Sequence, residues 1–401
     1  MYRNFNSNNK IILGFIMLNI LSGTAGGILQ MIVPLYALSI NANTAQVGLI
    51  KGISGLGLML LVFPSGFLID HYGSRKLYVI GGIIFSITIF LLPFAAVPAL
   101  IMIIMLFQGF GNSLRFTSLN AAFFKNLKLI GKDKAGWYKG SMSIGLTFLG
   151  PLIGGYIVQF VNYKSIFVYI SIVTLIPIIL LLSLNKKDNT VRPTNIVNIF
   201  KEQIVDFKLI FKNKTIKQSI LVESLSTAAF SCFVTFIVIL VVKNYQLQSY
   251  YASWLIILEG GAFIFTVFIA GRLLYKYKIY KLYLGSFALV ILGVLFVVLT
   301  NNMMFLGIGT AIIGFGLGMT NLITYSGIGE IKGEKGKISA LFAACTGLGA
   351  TLGPTLGGFI GEIFGIQAIF LSFIPLFILC GISIILNIPA INEENKVQNL
   401  S

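Results

Sequence analysis

Charge is what this sequence lacks. Only 10% of its residues are charged, against about a quarter in soluble domains, too few to coat a water-facing surface. That points away from a soluble globular protein and towards an integral membrane protein of many helices. Acids are scarcer still, 12 against 29 Lys and Arg, for a net charge of +17. Such a surplus spread over a folded surface would suggest a nucleic-acid partner. Here the basic residues cluster in polar gaps between apolar runs, where they report topology, and no nucleic-acid partner is expected. Histidine occurs once, as His71 beside Asp70, and reads as a plain loop residue or a sensor of pH near neutrality. The three cysteines, Cys232, Cys345 and Cys380, all lie inside apolar segments. They offer neither a disulfide framework nor metal spacing and read as small packing residues. No phosphate-cradling loop, nucleophile–base pair or metal cluster is visible. Direct ATP drive and enzymatic chemistry are therefore not expected, nor is a cofactor.

What the chain has in abundance is long apolar runs. Hydrophobic residues make up 57% of it. The runs mostly exceed 20 residues, a length for membrane-crossing helices rather than for the roughly 10-residue alternating strands of a barrel. The spacing predicts helices at about 11–38, 44–69, 75–95, 98–124, 136–161 and 164–184, then at 217–242, 249–275, 280–299, 302–329, 337–361 and 366–388. The first run, from Ile11 to Leu38, is longer than a signal-peptide core and reads as the first membrane helix. With the N-terminus inside, 25 of the 29 Lys and Arg fall in cytoplasmic segments and only Lys164 and Lys243 in external loops. Lys51 and Arg115 lie within helices. That asymmetry predicts a multi-pass protein of the cell membrane with both termini cytoplasmic.

The segment 185–216 divides the helices into six and six. Its second part carries Ile196, Phe200, Ile204, Phe207 and Phe211 at helical spacing, the pattern of an amphipathic helix on the inner membrane surface. The expected organisation is a six-helix bundle at 1–184, a cytoplasmic linker at 185–216, a second bundle at 217–389 and a tail at 390–401. The two bundles repeat. GFLIDHYGSRKLYV at 66–79 aligns with GRLLYKYKIYKLYL at 271–284, an offset of 205, and GPLIGG at 150–155 aligns with GPTLGG at 353–358, an offset of 203. Two related six-helix halves joined by a basic loop is transporter architecture.

With those motifs in view, the chain resembles the major facilitator superfamily over essentially its whole length. Gly66, Asp70, Gly73 and Arg75 fit that family's loop 2–3 signature, with His71 and Ser74 where basic residues are usual. Gly150, Pro151, Gly154 and Gly155 resemble the helix 5 signature of its antiporter branch, which exports its substrates. The resemblance departs in helix 4, where MLFQGFG puts Met105 in place of the arginine usual in drug/proton antiporters. It implies an all-α fold of twelve transmembrane helices in two pseudo-symmetric bundles, with Asp70 latching the inner face against the start of helix 11 and Arg75 supporting it. The Gly-Pro-x-x-Gly-Gly motifs, by weakening the helical ladder and admitting close neighbours, suit either a bend used in transport or a structural kink.

Ionisable residues inside a membrane are costly and usually functional. Arg115 lies near mid-depth of helix 4, and Gln108, Asn112 and Arg115 share one helix face at i, i+4, i+7. Helix 4 lines the central cavity in the family, which makes this face substrate-contacting, with Arg115 able to fork onto a carboxylate or phosphate. An alternative role is a structural ion pair with Glu259 or Glu223. Either acid could instead carry a coupling proton. Helices 1, 7 and 10 also line the cavity in the family. They offer Asn19, Gly23, Gly26 and Gln30, then Ser226, Thr227 and Phe230, then Asn321, Thr324 and Tyr325. The function expected is that of a monomeric secondary transporter exporting small organic molecules by alternating access, coupled to protons. Its cargo is an anionic or zwitterionic metabolite, such as a metallophore, or a set of drugs. The rival is a non-transporting sensor or scaffold whose basic inner surface binds protein or membrane lipid.

Overall fold

The computed structural model describes residues 2–130, 140–183, 214–330 and 335–400, and among these the side chains of 2–11, 63, 67, 70, 124–130, 183, 214–216, 275, 327–330, 335–343 and 387–400 are not described. The amphipathic helix expected within 185–216 lies outside the described residues. The elements are α1 (Tyr2–Ser39), α2 (Thr44–Tyr72), α3 (Ser74–Leu91), α4 (Pro98–Ile130), α5 (Gly140–Phe160) and α6 (Tyr163–Leu182). They continue as α7 (Lys214–Ile239), α8 (Ser249–Ile269), α9 (Ile279–Leu299), α10 (Met303–Glu330), α11 (Lys335–Phe364) and α12 (Ile366–Leu371 with Phe373–Leu400). No strand occurs among the described residues. In hydrocarbon each backbone N–H and C=O must find its partner within the segment, so long apolar runs become helices. Eleven of the twelve are long and apolar enough to cross a membrane. The twelfth, α11, has the length, at 30 residues, but glycine and threonine dilute its apolarity.

The helices outrun their apolar cores. α1 begins at Tyr2 rather than near residue 11, and α12 runs on to Leu400, so the expected tail from 390 is helical. Hydropathy marks where lipid ends, and a helix continues past that point while its residues tolerate it. Proline makes the opposite kind of deviation. Pro151 has no N–H to give the ladder, and just before it Ile144–Leu149 forms a π-turn in which the Gly150 N–H reaches the Gly145 carbonyl. The helix 5 motif thus carries a real distortion.

Successive helices run antiparallel, so alternate loops fall at opposite ends of the bundle. The two halves meet at the end remote from the chain termini, called here the far end. There a single hydrophobic core joins Met31, Ile32 and Leu35 of α1 to Phe233, Val234 and Ile237 of α7. At the other end, the terminal end, the first half keeps a separate core of its own around Phe15, Tyr78 and Phe123.

The repeated glycine motifs make the seams. Gly150 lies on α1, where an added Cβ would come within 2.5 Å of Gly27 Cα, and Gly154 packs on Met31 of the same helix. The next residue, Gly155, turns to the other half and packs on Tyr250 and Ser253 of α8. Gly353 and Gly357 pack in the same way on Ala228 and Cys232 of α7, while Gly358 meets Gly48 of α2, its absent Cβ only 2.9 Å from the Gly48 Cα. Helices without side chains between them approach to backbone contact. Polar clips reinforce both seams at the far end. Ser249 Oγ donates to the Gly155 carbonyl (3.0 Å), and the Thr44 N–H at the start of α2 donates to Glu362 Oε2 of α11 (2.8 Å). Tyr156 of α5 stacks on Tyr250 of α8, centroids 5.5 Å apart.

Candidate functional site

Arg115 sits at the middle of α4 and is 4% exposed. Its guanidinium lies over the Phe85 ring at 4.2 Å from the centroid and 6.0 Å from that of Tyr78, both from α3. This stacking comes from tertiary structure that helical spacing on α4 does not encode. Nε and Nη2 have no hydrogen-bond partner among the described residues. The residue borders a cavity of about 20 Å3 lined also by Asn19, Ser22, Tyr78, Asn112 and Asn120, room for about one water-sized group. The Tyr78 hydroxyl and Ser22 Oγ lie 3.2 Å apart and tie α3 to α1.

Gln108, though on the same arc of α4, is engaged elsewhere: its Oε1 accepts from Ser54 Oγ of α2 at 2.8 Å. The structure therefore brings Asn19, Asn112 and Arg115 together and leaves Gln108 at the α2–α4 contact.

The second half holds a matching nest of opposite sign. Glu223 of α7 is 4% exposed, more enclosed than its place near the helix start suggests. It lies close enough to Tyr283, Tyr325 and Cys345 for electrostatic interaction. The Tyr283 hydroxyl is 3.3 Å from Thr324 Oγ1. Tyr283 is the counterpart of Tyr78 at the 205-residue offset, and Glu223 stands one residue away from the counterpart of Asn19. One architecture thus frames a cation in one half and a carboxylate in the other.

Glu259, in α8, is fully buried, and neither of its carboxylate oxygens has a hydrogen-bond partner among the described residues. Its backbone packs on Gly314 of α10, while the next residue, Gly260, packs on Thr147 of α5. No ion pair joins Arg115 to Glu259 or Glu223 among the described residues. Burying an unpaired ion costs several kcal/mol, and each aromatic face over Arg115 returns only about 0.5–2 kcal/mol.

The other expected residues are spread out. The Gln30 Oε1 is buried without a described partner. Asn321 is half-buried and Tyr325 is exposed. Ser226 is buried, Thr227 packs on Gly349 of α11, and Phe230 packs against the shared core. Gly23 and Gly26 serve the contact with α5. Lys51, half-buried in the span of α2, was not singled out from the sequence; a cation inside an apolar run was the signal.

In loop 2–3 the turn is a single residue, Gly73, with φ of 86°, which disfavours any side chain. Gly66 has open space around it. Arg75 Nη2 donates to the Leu182 carbonyl and so ties the turn to the end of α6, a contact beyond the expected support of Asp70. The Asp70 latch itself lies outside the described side chains.

Twelve helices in two related halves, sealed at one end and carrying charged groups at mid-depth, define a membrane transporter. The sequence profile of the Major Facilitator Superfamily matches residues 15–331 and 331–400, and the chain belongs to that family. It is 27% identical over 178 residues to a multi-drug resistance efflux pump PmrA homolog of Lactococcus lactis, covering 43% of this chain and 44% of that protein. It is 22% identical to the probable nitrate transporter NarT of Staphylococcus epidermidis, over 93% of each. Among solved structures, the nucleoside transporter NupG superposes with a TM-score of 0.77 at 14% identity, over 93% of this chain and 98% of that one. A bacterial homolog of the human lysosomal transporter Spinster, in an inward-facing and unoccupied conformation, gives 0.77 at 12% identity over 94% and 96%. At those identities the structural likeness shows the fold alone.

Proposed function

We propose that this transporter exports small organic molecules carrying an acidic or zwitterionic group, by alternating access and in exchange for protons. The observation that carries the cargo class is the pair of opposite charges, Arg115 in one half and Glu223 in the other, in nests built by equivalent helices. A zwitterion presents one group to each. With the termini cytoplasmic, as the basic loops favour, the sealed far end is the external one. Export is supported by the helix 5 motif and by the name of the Lactococcus relative. Glu259 is the coupling group: a fully buried carboxyl of α8 with neither oxygen bonded among the described residues, at the α8–α10 contact and one residue from the α5–α8 seam.

The cargo reading is tested by counterflow in proteoliposomes with amino-acid-derived acids and with lipophilic cationic drugs. Uptake of the acids alone supports it, and uptake of the drugs alone replaces it with a multidrug pump. Coupling is tested with Glu259→Gln. The variant is expected to keep counterflow but to lose the response to an imposed pH gradient; an unchanged response removes Glu259 from coupling.

A further inference from the structure

We infer that the cavity beside Arg115 is a binding site for one small monoanionic group, the size of a halide, a nitrate or a single carboxylate. This deepens the cargo reading above and rests on it for the use of the site, not for its existence.

The first support is charge. Within residues 1–184 the only acids are Asp70 and Asp133, and no described acid of this half stands beside Arg115. Ser65 of α2 bonds Thr117 of α4, so Arg115 is level with about residue 63, and Asp70 stands about two helical turns further towards the terminal end. Asp133 lies 18 residues past Arg115 in sequence, outside the described residues. Among the described residues of its own half, the buried guanidinium therefore has no counter-ion.

The second support is geometry. Nε and Nη2 are buried without a described hydrogen-bond partner, while Phe85 and Tyr78 hold the guanidinium in place. The space it borders is lined by three asparagines and the Ser22–Tyr78 hydroxyl pair, which can donate hydrogen bonds, by Phe116, Leu119 and Met142, and by no acid. Hydrogen-bonding side chains beside a buried, unanswered guanidinium are what an anion requires.

The third support is size and stoichiometry. About 20 Å3 admits one small group and excludes a bulky organic cargo as a whole. One positive charge balances one negative charge, so the pocket suits a monoanion rather than the phosphate dianion that the sequence left open.

The test is thermal unfolding of the purified full chain in detergent, at constant ionic strength, with sodium gluconate as background and added chloride, nitrate, formate or sulfate. The site predicts a saturable rise in unfolding temperature of about 3 °C or more with at least one of the small monoanions and none with sulfate. Arg115→Gln should abolish the rise. Asn112→Leu, which fills the cavity but keeps the charge, should weaken it at least tenfold in anion concentration, and this guards against a poorly folded Arg115 variant. A response to chloride or nitrate alone assigns the site to a free ion, and a response to formate alone assigns it to the carboxylate of a cargo. No response to any small monoanion, or one that survives in Arg115→Gln, overturns the site. The binding measurement needs no transport, so its failure leaves the exporter reading standing, and a failed counterflow experiment leaves the site standing.

Discussion

Arg115 shows how far a single residue can be read. Its depth in the membrane followed from counting along α4, and its rarity as an intramembrane charge marked it as functional. Its surroundings were not legible, because Phe85 and Tyr78 come from α3 and Asn19 and Ser22 from α1. The same limit explains Gln108: spacing on α4 put it beside Arg115, but Ser54 of α2 claims it. A lone buried charge is also a stability liability, and its replacement by an apolar group of like volume is often neutral or favourable. Arg115→Met is therefore expected to unfold at the same temperature as the parent or higher, while its counterflow falls at least tenfold. Arg115→Lys should also lose counterflow, because an ammonium cannot reproduce a stacked planar fork. Measuring both quantities on both variants separates function from folding, and a Met variant that unfolds several degrees lower would make Arg115 a structural residue.

Helices were the most legible elements, because apolar run length in a chain this oily has one solution. What escaped was their irregularity. The π-turns at Ile144–Leu149, just before Pro151, and at Leu240–Asn244, with no proline beside it, are departures that hydropathy does not report. The repeated glycines were legible as repeats, but the structure assigns each a partner: Gly150 and Gly353 inside their own halves, Gly155 and Gly358 across the seams. A side chain at Gly358 has no space while the far end is sealed. Gly358→Val is expected to cost the sealed state about 1–3 kcal/mol and to favour the state open at the far end. Spin-label distances between the α1–α2 and α7–α8 loops should lengthen in it. Glu362→Ala removes the carboxylate that caps α2 across the seam, a contact worth about 0.3–1 kcal/mol at an exposed helix N-terminus. The same distances should shift in the same direction, by about two- to fivefold in population. Unchanged distances in both variants would mean that these seams do not set the conformation.

At the scale of the whole molecule, the two-half plan was visible in two aligned motifs, and the structure gives those alignments physical content. The seams α2–α11 and α5–α8 are equivalent under the repeat, so loosening them together at the far end and closing the terminal end is the motion the symmetry allows. Direction of transport is a property of the cell, set by orientation and coupling, and is tested there. The most direct measurement compares small molecules inside and outside cells that have or lack this protein, at matched growth. The account predicts one or a few acidic or zwitterionic compounds retained inside cells without the protein and depleted from their medium, restored by the parent and not by Arg115→Ala. Lower internal levels of such a compound in cells without the protein, or no compound displaced in either direction, would contradict export of a native acid.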